Sequence, residues 1–108
     1  MIIKIKPLSV NQCWQGKRFK TPKYKAYEYE LLMLLPKISV PNGLLHLKVV
    51  FGLSSKLNDI DNGLKPFIDI LQKKYSFNDR DIYKLTVEKV IVNKREEFIE
   101  FKIKQLDK

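Results

Sequence analysis

The stretch Asp59-Ile60-Asp61-Asn62-Gly63-Leu64-Lys65-Pro66-Phe67-Ile68-Asp69-Ile70-Leu71 decides how this chain folds. Leu64, Phe67, Ile68 and Leu71 recur at i, i+3, i+4 and i+7, the spacing of a helix face turned to a core. Pro66 fits such a helix only in its first turn, where backbone N–H groups lack intrahelical partners. The helix therefore starts near Asn62, and Asp59 and Asp61 stand just before it. Upstream, Leu45, Leu47, Val49 and Phe51 alternate with His46, Lys48 and Val50, the period of a half-buried strand.

Working outward, Met1 to Lys6 alternates apolar and basic residues and reads as a short strand ended by Pro7. Ser9 to Lys25 reads as a long loop, with Lys17, Arg18, Lys20, Lys23 and Lys25 set among Trp14, Phe19 and Tyr24. Thr21 before Pro22 starts a helix, a capping residue followed by proline at the first helical position. Tyr24, Tyr27, Leu31 and Leu34/Leu35 carry that helix to about Leu35, before Pro36. Pro41-Asn42-Gly43 is a turn. A third strand is expected from about Ile82 to Val92, with Tyr83, Leu85 and Val87 on one face. Asn93 to Glu96 turns the chain into a last strand, with Ile99, Phe101 and Ile103 inside and Glu100, Lys102 and Lys104 outside. The order β-α-β-α-β-β predicts an α+β fold, a single domain over residues 1–108. Its four-stranded mixed sheet should carry two helices packed on one face.

Composition narrows the function. The chain is 44% hydrophobic and has only four glycines and five prolines, which argues against disorder. Its 21 Lys+Arg against 12 Asp+Glu give +9, a balance that favours an acidic partner. Nucleic acid is favoured over membrane, because no apolar run approaches the ~20 residues needed to span one. Met1 to Pro7 is too short and interrupted for a secretory leader. Cys13 and His46 are the only cysteine and histidine, so neither an internal disulfide nor a Cys/His zinc site can form. A cytoplasmic protein is expected.

Within this basic chain, five of six aspartates lie between Asp59 and Asp81, with no glutamate among them. Clustered carboxylates repel phosphate unless they hold a cation against it. Mg²⁺ takes oxygen ligands, usually one or two carboxylates plus phosphate oxygens. In extended backbone Asp59 and Asp61, two residues apart, would point to one side and reach one ion. Lys65 lies four residues after Asp61, where a helical first turn stacks it beside that carboxylate. Asp79 reaches the same place if the strand after the helix lies next to the strand before it. Each residue also has a structural alternative. Asp61 or Asn62 can cap a helix, Asp69 can pair with Lys65 and Lys73 at i±4, and Asp79 can be a turn residue.

On these residues the sequence resembles the RusA-type Holliday junction resolvases, the crossover junction endodeoxyribonucleases. The likeness rests on Asp59-x-Asp61-Asn62, Lys65 one turn on, Asp69 inside an amphipathic helix, and the later Asn78-Asp79-Arg80-Asp81. Pro7-Leu-Ser-Val-Asn-Gln-Cys-Trp14 and Arg18-Phe-Lys-Thr21 are similar to the family's opening loop, so roughly Pro7 to Lys89 is covered. Two features depart from the pattern. Asn78 stands where a second aspartate is common, and Gly63 and Pro66 occupy the helix's first turn.

The resemblance implies Asp59, Asp61 and Asp79 as catalytic, metal-binding carboxylates and Lys65 as the catalytic lysine. It also implies Mg²⁺, with Mn²⁺ as the alternative, a branched-DNA substrate of four-way junctions, and a homodimer. Leu53, Leu57 and Trp14 are candidate dimer contacts. Lys17, Arg18, Lys20 and Lys23 are the expected DNA-binding residues, since cations among aromatics can neutralise phosphates and stack on unpaired bases. A non-catalytic DNA-binding module of the same fold, or a fork- or flap-specific nuclease, would share these features. Asp59 to Gly63 also mimics a calcium-loop opening, but its glycine comes one position early and no glutamate closes the loop.

Overall fold

The structure, a computed structural model, describes residues 1–16 and 19–106. Its elements are β1 (Ile2–Ile3), β2 (Trp14–Gln15), β3 (Phe19–Lys20), α1 (Pro22–Leu34), β4 (Leu45–Leu53), α2 (Leu64–Tyr75), β5 (Ile82–Ile91) and β6 (Phe98–Gln105). The main sheet runs β1-β6-β4-β5, and β2 and β3 form a separate antiparallel hairpin. β4 pairs parallel with β5 and antiparallel with β6, so the sheet is mixed. The expected α+β architecture is present.

β4 is central because its alternation is clean. Leu45, Leu47, Val49, Phe51 and Leu53 are all buried. Leu47, Val49, Phe51 and Leu53 share one core with Tyr24, Tyr27 and Leu31 of α1, Phe67, Ile70 and Leu71 of α2, and Ile99 and Phe101 of β6. Phe67 meets Phe51 and Phe101 edge-on at 6.3 and 5.6 Å between ring centroids. Such aromatic pairs contribute beyond their buried area, roughly 0.5–1.5 kcal/mol each.

The first helix follows its expected signals. The Thr21 side chain accepts from the Tyr24 N–H, Pro22 opens the helix, and the chain leaves it at Leu35. Leu34 is exposed and Leu35 buried, which resolves the pair in favour of the second. In α2 the cap residue is Gly63, and Pro66 lies in the first turn as required. Gly63 has a packing reason too, because a Cβ there would come within 3.3 Å of the Phe51 ring.

Three readings are corrected. Residues 60–63 form turns, with the Asn62 N–H donating to the Asp59 carbonyl and the Leu64 N–H to that of Asp61, so the extended geometry expected for Asp59 and Asp61 does not hold. The expected loop after Ser9 holds a 3₁₀ turn at Val10–Gln12 and the β2–β3 hairpin. In β5, a register irregularity opposite Leu45/His46 sets Tyr83 aside, leaving it 67% exposed. Leu85 and Val87 do pair with Leu47 and Val49, but β5 is an edge strand and Leu85 stays partly in solvent.

Candidate functional site

The polar face of α2 organises the candidate site. Lys65, Asp69 and Gln72 stand at i, i+4 and i+7, beside the buried Pro66, Phe67, Ile70 and Leu71. Lys65 Nζ donates to Asp69 Oδ1 at 2.7 Å. Gln72 Oε1 accepts the backbone N–H of Asp79 at 2.8 Å, and its amide nitrogen lies 3.5 Å from Asp69 Oδ1. Asp79 thereby returns to the helix, with Oδ2 at 3.8 Å from Lys65 Nζ.

Local backbone chemistry explains that return. Ser76, at φ 57°, ends α2 in the left-handed region, and its N–H still bonds the Gln72 carbonyl. Asn78 Oδ1 then accepts from the Arg80 N–H and caps the 3₁₀ turn Asp79–Asp81. Capping is thus the structural work of Asn78, at the position where a second aspartate was noted as common.

Lys65 is held above its ordinary value, first by its hydrogen bond to Asp69 and then by the charges of Asp69 and Asp79 acting against partial desolvation. It is therefore a fixed cation at neutral pH. Asp69 also acts on its other neighbours. Burial first, and then the Asp69 charge, pushes the Cys13 thiol up and the Tyr24 phenol up to about 12. Cys13 is a buried thiol whose Sγ lies 3.5 Å from the Ser9 carbonyl, and raising its value keeps it protonated.

Asp59 stands just ahead of the turn that leads into α2. It lines a cleft of about 490 Å³ with Lys6, Asn11, Asn58, Asn62 and Glu97, above Phe51 and Leu53. The turn that carries Asp59 is tied down from two directions. Lys89 of β5 donates to the Asn58 carbonyl at 2.8 Å, and the Val10 N–H donates to the Asn62 carbonyl at 2.7 Å. Glu97 accepts from both the N–H and the hydroxyl of Ser54. Asp61 is exposed in the same turn, and Asp81 is half-buried beside Asp79 in sequence.

The sequence-predicted residues are therefore brought together in part. Lys65 meets Asp79, and its hydrogen bond to Asp69 is the i,i+4 pair expected of that residue, while Asp61 is not its hydrogen-bond partner. The expected second partner of Asp69, Lys73, reaches Glu28 of α1 at 3.1 Å. Among the described residues, no three of the His, Cys, Asp and Glu side chains are grouped to hold a metal ion by themselves. The donor chemistry nonetheless suits a hard cation, for Mg²⁺ usually takes one or two carboxylates and completes its shell with water and phosphate. Gln72 and Glu97 were not anticipated. The i+7 spacing from Lys65 is the one sequence signal that sets Gln72 on this helix face, and Glu97 arrives from a distant connection.

Of the basic residues expected on DNA, Lys20 is the one that the described residues show drawn inward. Lys17 and Arg18 lie outside the described residues. Lys20 is engaged internally, 2.9 Å from Glu28 and 5.1 Å from the centre of the Tyr24 ring. Lys23 is exposed on α1. Of the apolar residues expected at a dimer surface, Leu53 is buried, Trp14 packs edge-on against Tyr24, and Leu57 is 92% exposed. No helix is long and apolar enough to cross a membrane among the described residues. Compared with protein-family models and with curated proteins, the sequence matches none.

Proposed function

We propose that this chain is a metal-dependent endodeoxyribonuclease that resolves four-way (Holliday) junctions by paired symmetric nicks in recombination and repair. The observation that supports it is the return of Asp79 to 3.8 Å from Lys65, across fourteen residues and a helix. The Asn78 cap and the Gln72 contact hold Asp79 in that place, so the carboxylate is presented beside the cation in a fixed position. Asp59, Asp61 and Asp79 would hold Mg²⁺ or Mn²⁺, and a bound ion supplies a Lewis acid and lowers the pKa of its water.

The chain's own groups have separate roles in this reading. Lys65, kept cationic by Asp69 and Asp79, stabilises negative charge building on the phosphorane-like transition state. Gln72 positions Asp79 through its backbone N–H. Lys17, Arg18 and Lys23 contact phosphates. Lys20 has an internal partner and contributes less. The protein acts in the cytoplasm as a homodimer, since two symmetric nicks in a near two-fold junction call for two sites. The second copy adds along the open edge of β5, where Tyr83, Leu85, Val90 and Ile91 are exposed.

A synthetic four-way junction incubated with the protein, with and without Mg²⁺, tests this reading, and replicate forks and flaps in the same assay define the preferred branch. Absence of cleavage in Mg²⁺ and in Mn²⁺ rejects it. A second reading, a DNA-binding module without turnover, is favoured by the lack of three grouped ligands among the described residues. Junction binding without metal-dependent cleavage would select it.

A further inference from the structure

The face of the main sheet turned away from α1 and α2 has its charges sorted by strand register. Reading across β5, β4 and β6, Lys84, His46 and Lys104 form one row. Thr86, Lys48 and Lys102 form the next, then Glu88, Val50 and Glu100, then Val90, Gly52 and Phe98. Neighbouring strands lie ~4.8 Å apart and alternate residues ~6.6 Å apart, so four lysines and the histidine share two adjacent rows. None of these lysines is within 4 Å of a carboxylate among the described residues, where the ion pairs involve Lys20, Lys65 and Lys73.

Like charges set directly across strands are destabilising on their own. Here Lys48 opposes Lys102, and Lys84 and Lys104 flank His46 from both sides. The imidazole feels this: partial burial, then Lys84, Lys104 and Lys48, hold it below its ordinary value. Its Nε2 lies 2.9 Å from Thr86 Oγ1, which fixes the ring within the patch. Such an arrangement is relieved by an anion that spans both rows.

We propose that these two rows, Lys84-His46-Lys104 and Thr86-Lys48-Lys102, are a second nucleic-acid surface that takes the phosphate backbone without reading sequence. The site lies on the opposite side of the sheet from Lys65 and Asp79, and the proposal stands whether or not the chain cleaves DNA. Lysine is a point charge suited to phosphate, whereas protein interfaces are depleted in lysine and anchored by aromatics and arginine. An anionic bilayer fits less well. To reach the apolar end at Val90 and Phe98 it would have to cover Glu88 and Glu100, which stand between that end and the lysines.

His46 is the only histidine of the chain, so its ring protons give one NMR signal that titrates with pH. A plain 20-base-pair duplex in EDTA, where no cleavage is read, should raise the His46 pKa by about half a unit or more as phosphates offset Lys84, Lys104 and Lys48. The double variant Lys48→Ala/Lys102→Ala should lower the slope of log K against log salt by about two, one for each lost phosphate contact. Its far-UV spectrum and melting curve establish that it is folded. If the duplex binds and leaves the wild-type His46 pKa unmoved, or if the folded variant keeps the full salt slope, the proposal is overturned. Sedimentation with phosphatidylserine vesicles in the absence of any duplex binding would overturn it in favour of a membrane surface.

Discussion

Lys65 donates to Asp69 at 2.7 Å while its ammonium stays 3.8 Å from Asp79, so one cation joins a carboxylate of its own helix to one brought back by the tertiary fold. The first contact is an ordinary i,i+4 helix pair worth about 0.3–0.5 kcal/mol. The second depends on the parallel pairing of β4 and β5 and carries the functional reading.

The two contacts separate by mutation. Asp69→Asn should lower stability by about 0.5 kcal/mol or less and keep junction cleavage. Asp79→Asn should nearly abolish cleavage while junction binding holds or tightens, because it also relieves repulsion against phosphate. Lys65→Ala should slow single-turnover cleavage about a hundredfold or more, the usual cost of losing a donor to transition-state charge. Lys65→Arg should retain measurable cleavage, for charge persists while shape and hydration change. Wild-type rates in Lys65→Ala at saturating protein would reduce Lys65 to a salt-bridge residue.

Gln72 touches neither substrate nor metal in this reading and acts through Asp79. Gln72→Ala should lower cleavage by about 10–100-fold, the range seen when an outer partner of a ligand is lost. Gln72→Glu keeps an oxygen that can accept the Asp79 N–H and should recover part of the rate. Equal loss in both variants would show that the amide's role is not to position Asp79.

Glu28 gives a pH-dependent stability test away from the site. Burial alone would raise its carboxyl, but hydrogen bonds from Lys20 and Lys73 outweigh this and hold it below the ordinary range. A carboxyl lowered in the folded state adds stability above its unfolded value, about 4.3, and loses it as pH falls through the folded value. Glu28→Gln should therefore cost about 1 kcal/mol at pH 7, with the difference in melting temperature closing below about pH 4. A difference that persists undiminished at pH 3 would mean that the loss comes from packing and not from charge.

How much was legible follows from which interactions are local. Thr21-Pro22, the alternation of β4 and the Leu64 to Leu71 spacing each announced their element, because capping and amphipathic burial act over a few residues. The turn at residues 60–63 was not legible, since only the carbonyls of Asp59 and Asp61 bonding forward bend it. Tyr83 looked like a core strand residue because its displacement arises from register against β4, which no spacing within β5 records. In the site, Lys65 and Asp79 were anticipated as neighbours. The Lys20–Glu28–Lys73 link and the Glu97–Ser54 contact join segments far apart in sequence and became visible only in the fold.

The open edge of β5 sets the last test. A ten-residue edge strand presents unpaired backbone groups, and proteins commonly guard such edges with charge or proline. β5 has Lys84, Glu88 and Lys89, yet Tyr83, Leu85, Val90 and Ile91 remain in solvent along it. Under a two-fold axis this strand can pair with its own copy, which would bury those side chains and satisfy both edges. Sedimentation at micromolar concentration should find the wild type as a dimer. Leu85→Lys with Ile91→Lys should shift it to monomer, since both changes place charge beside the edge while sparing the residues of α2. On a four-way junction the monomeric variant should still bind, but its two nicks should become uncoordinated, leaving singly nicked junctions that the wild type does not accumulate. A wild type that stays monomeric with and without junction DNA would remove the homodimer from the proposal. A dimer unaffected by the two lysines would move its contact surface away from β5.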